Sequence, residues 1–140
     1  INKKIYKNRC YQVDIEKEKV NQKFDIIFLI HTLEHFKYPN KAIENIKNSL
    51  KNNGRLFIEI PNFNFMIKRK TFYSIFPQHL SMFSIKHLQN FLNNSSLKIE
   101  KLFYEKNIIF CSVKKIKLKK KYYLLIIIKF LKFSKKIMTQ

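Results

Sequence analysis

The sequence holds one glycine, two cysteines, three prolines and no tryptophan in 140 residues. A single glycine cannot build a glycine-rich phosphate cradle, where several residues must lack a side chain for the backbone to approach a ligand. Cys10 and Cys111 are too few and too far apart for a zinc module; we expect reduced thiols serving as small apolar groups. Acidic residues are scarce as well, nine against 29 lysines and arginines, which gives a formal charge of +20. Only Arg9, Arg55 and Arg69 are arginines. Arginine reads phosphate and base edges better than lysine does, so this basicity does not argue for specific nucleic-acid recognition. Lysine, asparagine and isoleucine are abundant while glycine, alanine and arginine are rare, a bias that an AT-rich genome produces without any selection for a partner. No apolar run approaches the roughly twenty residues a bilayer span needs. The lysine-rich residues 1–9 lead into no apolar stretch of a signal peptide. There is no internal repeat. A hydrophobic content of 46% excludes global disorder, and the length allows one domain at most, short for a complete doubly wound sheet.

What is present concentrates in residues 24–62, FDIIFLIHTLEHFKYPNKAIENIKNSLKNNGRLFIEIPN. Residues 24–30 form a nearly continuous apolar run broken only by Asp25, which predicts a parallel strand covered on both faces. From Pro39, Ala42, Ile43, Ile46 and Leu50 recur at helical spacing, with proline acceptable in the first turn and Lys47 and Lys51 toward the negative C-terminal end. Asn53-Gly54 reads as the stop, Gly54 taking a left-handed position just past the helix. Residues 55–60 then predict a second strand, ended by Pro61. Strand, crossover helix and strand make a right-handed βαβ unit. Ligands of such sheets bind beyond the strand carboxyl ends, which singles out His31, Thr32, Glu34, His35, Pro61, Asn62 and Phe63.

Three pieces of this block, Leu33-Glu34-His35, residues 50–54 and Pro61-Asn62, together with the downstream order of Gln78-His79-Leu80, Phe83-Ser84, a helix over 85–92 and a strand over 97–105, resemble the class I S-adenosylmethionine (SAM) dependent methyltransferases. The resemblance spans roughly residues 11–114. It implies an α/β chain with a partial Rossmann-like methyltransferase fold: a mostly parallel sheet closing in a C-terminal antiparallel hairpin, the first strands and the glycine-rich loop missing. The segment before Phe24 has no room for two further strand and helix pairs, since one βαβ unit takes about thirty residues. On this reading residues 1–114 are the carboxyl-terminal part of the methyltransferase domain, and residues 115–140 a basic and apolar terminal helix.

The resemblance also implies the cofactor, SAM, with Asp14, Ile15, His31 and Thr32 as the cofactor-binding candidates. Asp14 closes a short strand expected over 10–15, where the family keeps an acidic residue near the adenine; a solvated loop carboxylate is the alternative. Methyl transfer asks the protein mainly for alignment and desolvation. For a hydroxyl acceptor His31 is the first candidate base and His79 the second, because imidazole titrates near neutrality. His31, Glu34, His35 and His79 are candidate ligands should a divalent metal be used; a capping role for Glu34 and His35 at the elbow is the plainer alternative. Residues 31–35 also spell H-x-x-E-H, a metallopeptidase motif that needs a helix, yet a strand precedes it and Pro39 follows closely.

Elsewhere, residues 63–76 interleave aromatics with Lys68, Arg69 and Lys70, an insertion suited to covering a substrate or to packing beneath a loop. Ser84 reads as an N-cap before Ile85, Leu88, Phe91 and Leu92, with Asn93 and Asn94 closing that helix, and His87 as a surface residue on it. Residues 97–104 and 107–114 predict a hairpin. No acidic residue follows Glu105; KKIKLKKK at 114–121 leads into YYLLIIIKFL at 122–131, a pattern suited to an interfacial helix on anionic lipid or to packing on another part of the protein. The expected function is methyl transfer to a small-molecule, sugar or lipid-linked acceptor by a cytoplasmic protein, with peripheral attachment to the inner membrane face open to the tail. The alternative is a non-catalytic basic remnant of the fold that binds membranes or anions.

Overall fold

A computed structural model describes residues 12–71 and 75–116. Strand β1 (Phe24–Ile30) runs into a 3-10 turn (Leu33–His35), then helix α1 (Pro39–Ser49), β2 (Leu50–Pro61), α2 (Phe63–Arg69), α3 (Ile85–Asn94), β3 (Leu97–Glu105) and β4 (Ile108–Lys115). The sheet order is β1-β2-β4-β3. β1 and β2 are parallel, residues 26–30 lying beside 55–59, whereas β4 pairs antiparallel with both β2 and β3. The expected βαβ unit and terminal hairpin are therefore both present.

Alternation along β2 explains the core. Leu56, Ile58 and Ile60 are fully buried on one face, with Ile109, Cys111 and Val113 of β4 beside them, and Ile43 and Ile46 of α1 and Leu88 and Leu92 of α3 close over that layer. Fully burying each such side chain contributes about 1.5–3 kcal/mol. Both helices thus serve a single face. On the other face the rings of Phe28 and Phe57 stack at 5.1 Å and those of Phe57 and Phe110 at 6.0 Å.

Three expectations are corrected. β1 is not covered on both faces among the described residues: it is an edge strand of the described sheet, and Ile26, Phe28 and Ile30 remain 53%, 60% and 44% exposed. Gly54 is not a left-handed helix stop. The helix leaves through Leu50 in an extended conformation and passes straight into β2, and no glycine has positive φ. Gly54 lies in an irregularity of the ladder, where the partners step from Phe24–Leu50 to Ile26–Arg55. A Cβ there would sit 2.9 Å from Leu50 Cδ1 and 3.0 Å from the Asp25 carbonyl oxygen, so close approach rather than dihedral freedom requires glycine. Finally, residues 12–14 form no strand and lead into a turn over 15–17; Cys10 lies outside the described residues, as does the tail beyond Ile116.

Local signals account for the remaining ends. Pro39 opens α1, and the Tyr38 N–H that precedes it donates to the Glu16 carboxylate. Asn62, buried at the end of β2, caps α2 by accepting from the Phe65 N–H at 3.3 Å and donates through Nδ2 to the Lys106 carbonyl at 3.1 Å, while its own N–H donates to Asn107 O at 2.8 Å. The Pro-Asn pair thus ties the strand carboxyl end to the hairpin. Ser84 caps α3 as expected, accepting from the His87 N–H at 3.2 Å.

Candidate functional site

The carboxyl ends of β1 and β2 meet at His31. Its φ of +45° is a left-handed conformation that costs a non-glycine residue about 1–2 kcal/mol, and such strain collects where side chains must be aimed. The His31 N–H donates to Glu59 O at 3.0 Å. Its ring lies between two carboxylates, with Nε2 3.1 Å from Glu59 Oε1 and Nδ1 3.5 Å from Glu34 Oε1.

The 3-10 turn then points Glu34 inward. Glu34 is only 1% exposed, and neither carboxylate oxygen has a hydrogen-bond partner. A buried polar atom without a partner costs about 1–3 kcal/mol, so the fold retains a group it does not satisfy. Against it comes the loop before α3, anchored where the Ser81 N–H donates to Glu34 O at 3.1 Å and where His35 Nδ1 lies 3.0 Å from Gln78 O. A carbonyl only accepts, so His35 Nδ1 carries the hydrogen, and Nε2 is the ring nitrogen left for another partner. The His35 and His79 rings meet edge to face at 4.7 Å. Glu34, His35 and His79 each place one ligand atom within 4.8 Å of the others. A carboxylate oxygen and two imidazole nitrogens form a donor set suited to a divalent transition metal, and the unpartnered Glu34 oxygens are the observation that fits a cation there.

The four metal candidates are therefore divided. Glu34, His35 and His79 converge; His31 touches the group only through Glu34 and is otherwise held by Glu59. With His31 at the end of a strand and only a three-residue 3-10 turn after it, residues 31–35 are not the helix that a peptidase H-x-x-E-H needs.

The cofactor candidates separate as well. Thr32 and Ile15 share an apolar groove of about 530 Å³ beside β1, with Leu29 and Phe36 among its walls. Asp14 precedes Ile15 but is engaged elsewhere: its carboxylate pairs with Lys17 at 2.8 Å and accepts from the Glu16 N–H at 3.1 Å. The Lys17 hydrogen bond holds the Asp14 carboxyl below the usual carboxylate range. Glu59 went unnoticed in the sequence, although a lone carboxylate in the apolar run RLFIEI, near a strand carboxyl end, was the available signal. The role of Gln78, which acts through its backbone, leaves no signal in residue type.

No curated protein matches the sequence. Among solved structures, an S-adenosylmethionine-dependent methyltransferase from Clostridium acetobutylicum ATCC 824 superposes with a TM-score of 0.59 at 13% identity, covering 74% of this chain and 63% of that one. The mitomycin 7-O-methyltransferase MmcR gives 0.57 at 12% identity, covering 74% and 32% respectively. The 1,6-didemethyltoxoflavin-N1-methyltransferase of Burkholderia thailandensis gives 0.56 at 14%, covering 73% and 48%. The chain thus spans less than two thirds of each of these proteins, and the likeness establishes a Rossmann-like methyltransferase fold. A family model described as a methyltransferase domain matches residues 2–102. With the order of elements and the sequence match in agreement, the chain belongs to this methyltransferase domain family.

Proposed function

We propose that the protein takes part in methyl transfer from SAM to a hydroxyl group of a small-molecule, sugar or lipid-linked acceptor. The observation that carries the hydroxyl reading is Glu34, buried with neither oxygen hydrogen-bonded and converging with His35 and His79 beyond the strand ends. Bound SAM would supply an electrophilic methyl on its sulfonium. A divalent cation held by Glu34, His35 and His79 would polarise an acceptor hydroxyl and lower its pKa.

The chain's own groups divide the remaining tasks. Ile15, Leu29 and Phe36 offer apolar walls to a flat heteroaromatic ring such as adenine, with Thr32 among the residues that line the same groove. Asp14 and His31 precede the lining residues Ile15 and Thr32 in the chain. His31 is the first candidate to receive the acceptor's proton, its ring aimed by Glu59, and His79 is the second. The neighbours' printed names support the class of reaction: one methylates oxygen, and another was solved with S-adenosylhomocysteine and its small-molecule substrate.

The same reading places the protein in the cytoplasm, with residues 115–140 a basic and apolar segment that attaches it to the anionic inner face of a membrane. Among the described residues no helix is long and apolar enough to cross one. The competing reading, a non-catalytic anion-binding remnant, draws on the sole glycine lying in β2 rather than in a loop at the strand carboxyl ends.

Calorimetric titration with S-adenosylhomocysteine, followed by Mn²⁺, separates the two. Saturable binding of both is expected, with Mn²⁺ binding lost in Glu34→Met. A folded chain that binds neither supports the remnant. In an active form, unchanged turnover of His31→Ala would remove the base role from His31.

A further inference from the structure

The end of the sheet opposite the Glu34 cluster is built from cations. Arg55 of β2, Lys114 of β4 and Lys98 of β3 stand in one cross-strand row, because Leu56 pairs with Val113 and Lys98 with Lys114. Like charges placed directly opposite one another across strands are destabilising. One carboxylate serves this row: Glu100 bonds both Arg55 and Lys114. Beside the row lies a cavity of about 490 Å³ whose charged lining residues are Arg55, Lys98, Lys114 and Lys115, with Asn52 and Asn53 completing its polar wall. Four cations and no acid line it. Burial, and next the charges of Lys23 and Lys47, push the Lys115 ammonium below its ordinary range.

The chain leaves the described structure here. Lys114 and Lys115 begin the run KKIKLKKK, and YYLLIIIKFL follows. The cationic row therefore adjoins, in sequence, a stretch of apolar residues.

We propose that this edge is a docking surface for an anionic lipid bilayer, with Arg55, Lys98 and Lys114 holding headgroup phosphates. The proposal rests on the reading that residues 115–140 meet a membrane, and adds that the folded domain itself carries part of the binding. Bilayer attraction needs only point charges near the surface, which lysine supplies. A nucleic-acid partner would leave the apolar residues 122–131 without a task, and among the lining residues only Arg55 has the planar fork that reads phosphates and bases in pairs. Docking fixes an orientation. Arg55 and Pro61 are six residues apart on β2, about 20 Å at the usual rise, so docking at this row leaves the strand carboxyl ends about that far from it along the strand.

The test is flotation of the full chain with vesicles of phosphatidylcholine alone and of phosphatidylcholine with 30 mol% phosphatidylglycerol. Each basic residue near such a surface strengthens partitioning roughly fivefold. Arg55→Gln/Lys98→Gln/Lys114→Gln should therefore bind the anionic vesicles about a hundredfold more weakly. A control of equal charge, Lys37→Gln/Lys68→Gln/Lys86→Gln, should lose no more than about a fewfold, since those charges lie off the docking edge. Lys98→Glu alone, an exposed change that leaves both Glu100 pairs intact, should weaken binding at least as much as one neutralised lysine, and stands in should the triple variant fail to fold. Equal loss in edge and control variants overturns the proposal. So does preferential capture by a 20-base-pair DNA duplex in competition with the vesicles. If Leu124→Glu/Ile127→Glu abolishes binding while the edge variants bind like wild type, the tail alone anchors the protein: the tail reading stands and this one falls. No vesicle binding by wild type overturns both.

Discussion

Replacing Glu34 with methionine tests whether the buried carboxyl group is retained for a ligand. Methionine is unbranched and of similar length, so it keeps the volume and removes both oxygens. In metal-free buffer the variant sheds two buried acceptors that no donor satisfies, a relief of about 1–3 kcal/mol. Against this stands the loss of the 3.5 Å contact with the half-exposed His31 ring, worth about 0–1 kcal/mol at such a site. The net expectation is stabilisation of about 1–2 kcal/mol. With a urea dependence of about 1–3 kcal/mol per molar for a domain of this size, the midpoint should rise by roughly 1 M. Adding Mn²⁺ should reverse the order. At a concentration one hundred times the dissociation constant a bound ion stabilises wild type by about 2.7 kcal/mol and should leave the variant unmoved. A variant whose metal-free midpoint falls below that of wild type, with the Mn²⁺ response intact, would refute the reasoning: Glu34 would then be a structural residue, and the cluster no cation site.

Three further outcomes follow from the packing. Gly54→Ala should cost about 1–3 kcal/mol despite the usual gain from removing a glycine, because the new methyl meets the Asp25 carbonyl oxygen at 3.0 Å; a thermal melt unchanged or raised would show that the backbone gives way. Burial pushes the Cys111 thiol up to about 12, and the thiolate is the reacting species, so iodoacetamide at pH 8 should modify Cys111 only after denaturant is added; labelling of the native protein at the rate of a free peptide thiol would contradict the burial. The hydrogen bond from Lys114, aided by Arg55, holds the Glu100 carboxyl below its ordinary value of 4.5. Its charged form is therefore favoured in the folded state, and the stabilisation is complete above about pH 4.5 and lost as pH falls through the lower folded value. Urea midpoints of wild type and Glu100→Gln should accordingly differ at neutral pH and converge in acid; a gap that widens on acidification would mean the sign is wrong.

What was legible in the sequence was local. The βαβ unit, the Ser84 cap and the terminal hairpin each follow from periodicity and cap chemistry within about ten residues. What was not legible depended on partners far along the chain. Asn53-Gly54 resembles a helix stop, but the carbonyls at that end of α1 are taken by lysines from elsewhere, Asn48 O by Lys23 and Leu50 O by Lys115, and the chain is free to enter β2 directly. Asn62 could be suspected as the end of a strand, yet its carboxamide is spent on a cap and on the Lys106 carbonyl, 44 residues away. A nearly all-apolar β1, broken only by Asp25, reads as covered on both faces, and sequence pattern cannot say that it stands at the edge of the described sheet. His31, Glu34, His35 and His79 were identifiable by residue type. Their division was not, because it depends on one positive φ at His31 and on the Ser81–Glu34 backbone bond that brings His79 in.

The distribution of acids argues that this division is not incidental. In a chain with nine acids against 29 lysines and arginines, a carboxylate that merely needs neutralising will readily meet an ammonium, and Asp14, Asp25 and Glu100 do. Glu34 and Glu59 face histidine instead, and both lie at the carboxyl end of the parallel strands. A lysine at either histidine position would close the site with a fixed cation and no lone pair. Imidazole has two ring nitrogens, and in His35, beside Glu34, the bond to Gln78 O occupies Nδ1 and leaves Nε2 for another partner. Among the described residues the acid–histidine contacts thus gather at these strand ends, where Glu34 and Glu59 share His31.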